Sequence, residues 1–145
     1  MLLVKNKRAS FDYEISSKLT AGIQLTGAEV KSLRLKQASL TGAYVQIVHG
    51  EAVLLGAQIT PYKFATNPDY DPVRTRRLLL RRSEIARLSE QVSAKHYTLV
   101  PLAFVLEKNK IKLEIGVGRG RAKFEKRDKL KRREWEKEKT ALKIR

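Results

Sequence analysis

Alternation is strictest near the end of the apolar part of the chain. Ile111, Leu113, Ile115 and Val117 are apolar, and Lys112 and Glu114 between them are charged. A two-residue period predicts a half-buried strand from Ile111 to Val117. Tyr97 to Leu106 carries a second strand pattern, and Lys108-Asn109-Lys110 turns between the two. Tyr44 to Val48 and Ala52 to Ile59 flank a His49-Gly50 turn and read as a hairpin. Phe11 to Ile15, Gly22 to Leu25 and Arg74 to Leu80 are further extended runs. Residues 60 to 73 hold three Pro with Asn and Asp between them, which predicts a loop.

Two segments switch to a helical period. Thr26 followed by Glu29 is a capping box, and it opens a helix through about Leu35. Val30 and Leu33 then face inward, Lys31 and Arg34 outward. Ser83 can cap a helix from Glu84 to about Lys95, with Ile85, Leu88 and Val92 on one stripe. Strands and helices do not alternate regularly, so a parallel sheet is not expected. The pattern predicts a mainly β fold with short helices: a small antiparallel barrel of the oligonucleotide-binding (OB) type.

After Val117 the pattern stops, so residues 1–117 read as the barrel and 118–145 as a tail. Gly116, Gly118 and Gly120 read as a loose hinge that also touches phosphates. Between Lys123 and Arg145 the apolar side chains are Phe124, Leu130, Trp135, Ala141, Leu142 and Ile144, too few to bury a core. The Glu125–Lys129 and Asp128–Arg132 pairs favour a helix by roughly 0.3 kcal/mol each. Such a helix is marginal without a surface to pack on. The expectation is a flexible tail, disordered or marginally helical when free, that becomes helical on its target.

Composition narrows the partner. The chain has 145 residues, 42% hydrophobic, and no Cys, which excludes disulfide scaffolds, thiolate zinc sites and cysteine nucleophiles and fits a reducing compartment. No apolar run has the length of a signal peptide or a membrane span, so a cytoplasmic protein is expected. The net charge is +16, and residues 116–145 carry thirteen Lys or Arg against five Asp or Glu. That balance calls for a polyanion. The basic segments lack the broad apolar face of a membrane-surface helix, so nucleic acid is the better reading. A tail kept only for solubility is the bland alternative, although acid usually serves that purpose.

Chemistry for catalysis is missing from the sequence. His49 and His96 have no partner at a metal-ligand spacing, and the carboxylates form no divalent-metal motif. The GVGRGR run from Gly116 to Arg121 lacks the Gly-Lys-Ser/Thr ending of a phosphate-binding P-loop. No catalytic residue, metal, cofactor or small-molecule substrate is expected.

Four basic constellations remain. Asn6-Lys7-Arg8 lies near Tyr13. Lys31 and Arg34 stand one turn apart, beside a Glu29 that completes the cap. Asp71 to Leu80 reads DPVRTRRLLL; Arg74 and Arg76 face one way and Arg77 the other. Those arginines make a dense anion site, or gatekeepers of an edge strand. In the tail, Trp135 can anchor on a base or in a pocket, or pack back on the barrel.

Together these segments resemble the SsrA-binding protein family (small protein B), the partner of transfer-messenger RNA. The resemblance runs from Asn6 to about Lys139. It rests on NKRA from Asn6, GAEVKSLR from Gly27, GAQITP from Gly56, DPVRTRRLLL from Asp71 and GVGRGRAKFEKR from Gly116. It implies an adaptor, not an enzyme, whose barrel grips the tRNA-like domain of transfer-messenger RNA. The complex then enters stalled ribosomes, where the tail occupies the empty mRNA channel by the small-subunit decoding centre. The nascent chain is tagged for degradation. By this analogy RNA is contacted by Asn6, Lys7, Arg8, Tyr13, Lys31, Arg34, Arg74, Arg76, Arg77 and Lys112, with Leu79 supporting the surface from behind. Arg119, Gly120, Arg121, Lys126, Arg127, Trp135 and Leu142 serve the ribosome-binding tail. Thr20, Glu125 and Lys143 depart from the family pattern. The competing reading is a general single-strand RNA-binding protein or RNA chaperone, which calls for several exposed aromatics, and only 7% of the chain is aromatic.

Overall fold

The computed structural model describes residues 1–65 and 67–120. In chain order its elements are β1 (Leu2–Lys5), α1 (Ala9–Asp12), β2 (Tyr13–Ile23), α2 (Gly27–Arg34), β3 (Ala38–Ser39), β4 (Tyr44–Val48), β5 (Glu51–Leu55), β6 (Gln58–Ile59), β7 (Arg76–Leu79), α3 (Arg82–Ala94), β8 (Thr98–Glu107) and β9 (Lys110–Gly120). Seven strands form one sheet in the order β1-β8-β9-β2-β7-β5-β4, and β3 pairs with β6 apart from it. Every paired neighbour is antiparallel. The fold is mixed α/β, dominated by this sheet, with short helices packed against it.

Two hairpins follow from local chemistry. Val48 pairs with Glu51 and Glu107 with Lys110, which leaves two-residue loops at His49-Gly50 and Lys108-Asn109. All four loop residues have positive φ, between 50° and 74°. That is the turn whose twist matches a right-twisted ladder. Inward residues alternate along the strands as the pattern predicts. Leu54, Ile59, Phe104, Leu113 and Ile115 are fully buried, and Leu33 joins them from α2.

Three expectations change. Residues 9–12 form α1, so the first extended run begins at Tyr13 and continues unbroken to Ile23. The helix expected from Glu84 starts at Arg82, because the Glu84 carboxylate accepts from the Arg81 amide at 2.9 Å and sets the cap two residues earlier than Ser83 would. The glycine hinge is strand: β9 runs through Gly120, beyond the expected boundary at residue 117. Close approach of the neighbouring strand requires a glycine at one of its positions, Gly118. A Cβ on Gly118 would sit 2.0 Å from the Glu14 carbonyl oxygen, beside the bulge between Ile15 and Ser17 of β2. The tail from residue 121 onward, with its expected disorder-to-helix transition, lies outside the described residues.

Candidate nucleic-acid interface

Three strands lie side by side at the centre of one surface. Leu79 of β7, Gly22 of β2 and Lys112 of β9 are in register across them. Strand alternation turns Arg76 and Leu78 inward, both buried, and leaves Arg77 and Leu79 exposed on the other face. Leu79 therefore does not support the surface from behind. It is half exposed and lies over Gly22, where an added Cβ would come within 3.1 Å of its own Cβ.

Around this row is a groove of about 830 Å3. The His49-Gly50-Glu51 hairpin tip forms one wall, and Arg81 and Arg82 at the start of α3 form another. Arg77, Arg81, Arg82 and Lys112 face two carboxylates, Glu51 and Glu84. Glu84 is engaged in the α3 cap. Arg77 pairs with Glu51 at 3.0 Å, with both side chains half exposed. Pairs of that kind contribute about 1 kcal/mol or less, so a phosphate can displace the carboxylate. A basic groove with an apolar floor can hold phosphates at its walls and a sugar or base edge at Leu79.

Arg74 and Arg76, read from the sequence as RNA contacts, serve the interior. Glu29 of α2 is 1% exposed, and its two oxygens collect donors from four residues. Arg76 reaches Oε2 through Nε at 2.9 Å, and Tyr70 donates its hydroxyl to the same oxygen at 3.0 Å. Arg74 donates through Nε at 3.1 Å and also bonds Oε1 through Nη2. The Thr26 amide completes the capping box at 2.9 Å. Burial alone would push the Glu29 carboxyl up; the bonds from Arg74, the Thr26 amide and Arg76 outweigh it and lower it from 4.5 to about 2. Burial, then the Glu29 charge, push the Tyr70 phenol up.

Arg76 is 0% exposed. Its remaining N–H groups go to the carbonyls of Ala57, Arg74 and Pro72 and to the Tyr70 hydroxyl. With Glu29 on Nε, all five guanidinium donors are satisfied inside the protein, and none is left for a phosphate. Arg74 is partly exposed but is likewise committed to Glu29. Asn6 also has a structural part: it is 9% exposed, and its Nδ2 donates to the Pro101 carbonyl at 2.8 Å, which fastens the chain after β1 onto β8.

The other predicted residues lie elsewhere on the surface. Lys7 and Arg8 are exposed; Arg8 pairs with Asp12 at 3.5 Å and sits over the Phe11 ring at 5.2 Å. Tyr13 pairs with Gly120 at the far end of the β2–β9 ladder, about 30 Å along the strands from Gly22 at ~3.3 Å per residue. Arg119 is exposed there and covers the Tyr97 ring at 5.2 Å. Lys31 and Arg34 project from α2. Arg121, Lys126, Arg127, Trp135 and Leu142 lie outside the described residues. Sequence reasoning missed Arg81, Arg82 and the hairpin tip as groove walls; the Arg81-Arg82 pair directly after a strand was the available signal. Among the described residues, no cluster of His, Asp and Glu could hold a metal ion.

Comparison with known proteins places these features in context. The family model described as SmpB protein matches residues 3–144. An SsrA-binding protein of Nitrosomonas europaea is 46% identical over 143 residues, 98% of this chain and 95% of the relative. One from Chlorobium phaeovibrioides is 43% identical over 141 residues, 97% and 90% of the two chains. A solved structure reported as "tmRNA-SmpB: a journey to the center of the bacterial ribosome" superposes with a TM-score of 0.68 at 39% identity, covering 82% of this chain and 84% of that one.

Proposed function

This chain belongs to the SmpB family, and we propose that it is a transfer-messenger RNA-binding adaptor of trans-translation, not an enzyme. The observation that carries the reading is a family match running from residue 3 to residue 144, through both the sheet and the basic tail. The groove supplies the physics. Arg77, Arg81, Arg82 and Lys112 neutralise phosphates of the tRNA-like domain, and Leu79 packs on a sugar or base.

The finer parts of the reading follow. The sheet closes as an OB-type barrel; β4 lying against β8 supports this. The barrel is the RNA-gripping body, and the tail enters the empty mRNA channel at the small-subunit decoding centre, where a message would otherwise exclude it. The protein works in the cytoplasm.

Two measurements test the assignment. Binding is compared between transfer-messenger RNA and a single strand of equal length, at fixed salt because phosphate contacts make affinity steeply salt-dependent. Clear preference for the former is expected; equal affinity points to a general RNA chaperone. Removing residues 121–145, which leaves β9 whole, is expected to spare RNA binding and abolish peptide tagging on stalled ribosomes. Tagging at the full rate by the truncated protein refutes the role given to the tail.

A further inference from the structure

Within the 60–73 loop two aromatic rings stand together on the surface. Tyr62 and Phe64 meet edge to face with centroids 5.5 Å apart. Phe64 is 74% exposed, as open as any large apolar side chain among the described residues. Each ring has its own cation. Lys31 of α2 places Nζ 5.3 Å from the Tyr62 centroid, and Lys63 places Nζ 5.8 Å from that of Phe64. Arg34, one helical turn after Lys31, is exposed on the same helix. None of these residues lines the groove at Leu79.

We propose that Tyr62 and Phe64, flanked by Lys31, Lys63 and Arg34, form a second RNA contact: a stacking platform for an unpaired base of the bound RNA. An exposed aromatic offers a π face that any base can cover, and the flexible lysine ammonium groups now over the rings can swing aside to meet the phosphates on either side of that base. A protein partner would fit less well, because interface cores are depleted of Lys, and here two lysines sit against the rings themselves. Lys31 also ties the loop to α2, so the platform is held by a helix and not by the loop alone. The inference rests on the RNA-binding function proposed above and adds to it a site distinct from the groove.

The full-length protein is titrated with transfer-messenger RNA over a range of salt, as wild type, Tyr62→Ala, Phe64→Ala, Phe64→Trp and Lys31→Ala. Phe64 is exposed, so its replacement leaves the core intact. Phe64→Ala is expected to weaken binding roughly 5- to 150-fold, the range for one stacked base, with an unchanged salt slope. Phe64→Trp should restore affinity. Lys31→Ala should lower the salt slope by about one phosphate. A Tyr62→Ala/Phe64→Ala double variant that binds like wild type at every salt concentration overturns the proposal. If wild type shows no preference for transfer-messenger RNA, the parent reading fails by itself; the same variants on a single strand then judge the platform, and unchanged affinity there refutes it too.

Discussion

Replacing Glu29 by Gln should remove about 3 kcal/mol of stability at neutral pH, and more than half of that loss should vanish by pH 3. Gln keeps the size of the side chain and can still accept from the Thr26 amide, so the capping box survives. The change deletes the charge shared by Arg76 and Arg74. Arg76 has no exposed surface and cannot be rehydrated in place. Breaking a buried pair by removing one partner costs about 3–5 kcal/mol. The depressed carboxyl gives a second figure: lowering it from 4.5 to about 2 corresponds to about 3.5 kcal/mol of folding free energy at ~1.4 kcal/mol per pKa unit. The two estimates agree.

The sign follows from the depressed carboxyl. Its contribution is complete above pH 4.5 and is lost as pH falls toward 2. Urea unfolding of wild type and Glu29→Gln at pH 7, 5 and 3 measures the difference directly. It should be near its full value at pH 7 and under half of that at pH 3. A difference below about 1 kcal/mol at pH 7 refutes the account of the buried network. So does a difference that does not change with pH.

Gly118→Ala should destabilise the protein by about 1–3 kcal/mol or more, measured by thermal unfolding, because the new methyl meets backbone and not a movable side chain; tolerance of Ala would restore the hinge reading of that glycine. Lys112→Ala and Arg77→Ala should each weaken transfer-messenger RNA binding and lower its salt slope by about one phosphate, with stability unchanged; slopes equal to wild type would remove these side chains from the interface. Gly22→Ala should weaken RNA binding by displacing Leu79, 3.1 Å from the added Cβ, and a crystallographic or chemical-shift map showing Leu79 unmoved would contradict that.

What the sequence determined by itself was whatever depends on near neighbours. The His49-Gly50 turn placed the hairpin, although its second strand, expected to reach Ile59, ends at Leu55 before the positive-φ Gly56, and Gln58–Ile59 pairs instead with β3. Alternation placed the strand beginning near Ile111; Thr26 and Glu29 marked the start of α2; three prolines marked the 60–73 loop. Strand parity also put Arg76 and Arg77 on opposite faces. Which face was the interior could not be read, because that depends on Glu29, 47 residues away in the chain, arriving beneath β7. An arginine bound to a buried carboxylate and one offered to phosphate look alike in a linear chain. The same holds for Gly118, whose lack of a side chain is required by the backbone of β2, over a hundred residues earlier. Tertiary structure alone brought Leu79, Gly22 and Lys112 into one row and set Lys31 against Tyr62. Periodicity reports which side of an element is apolar; only the packing of distant elements decides which charges are neutralised inside the protein and which remain available to RNA.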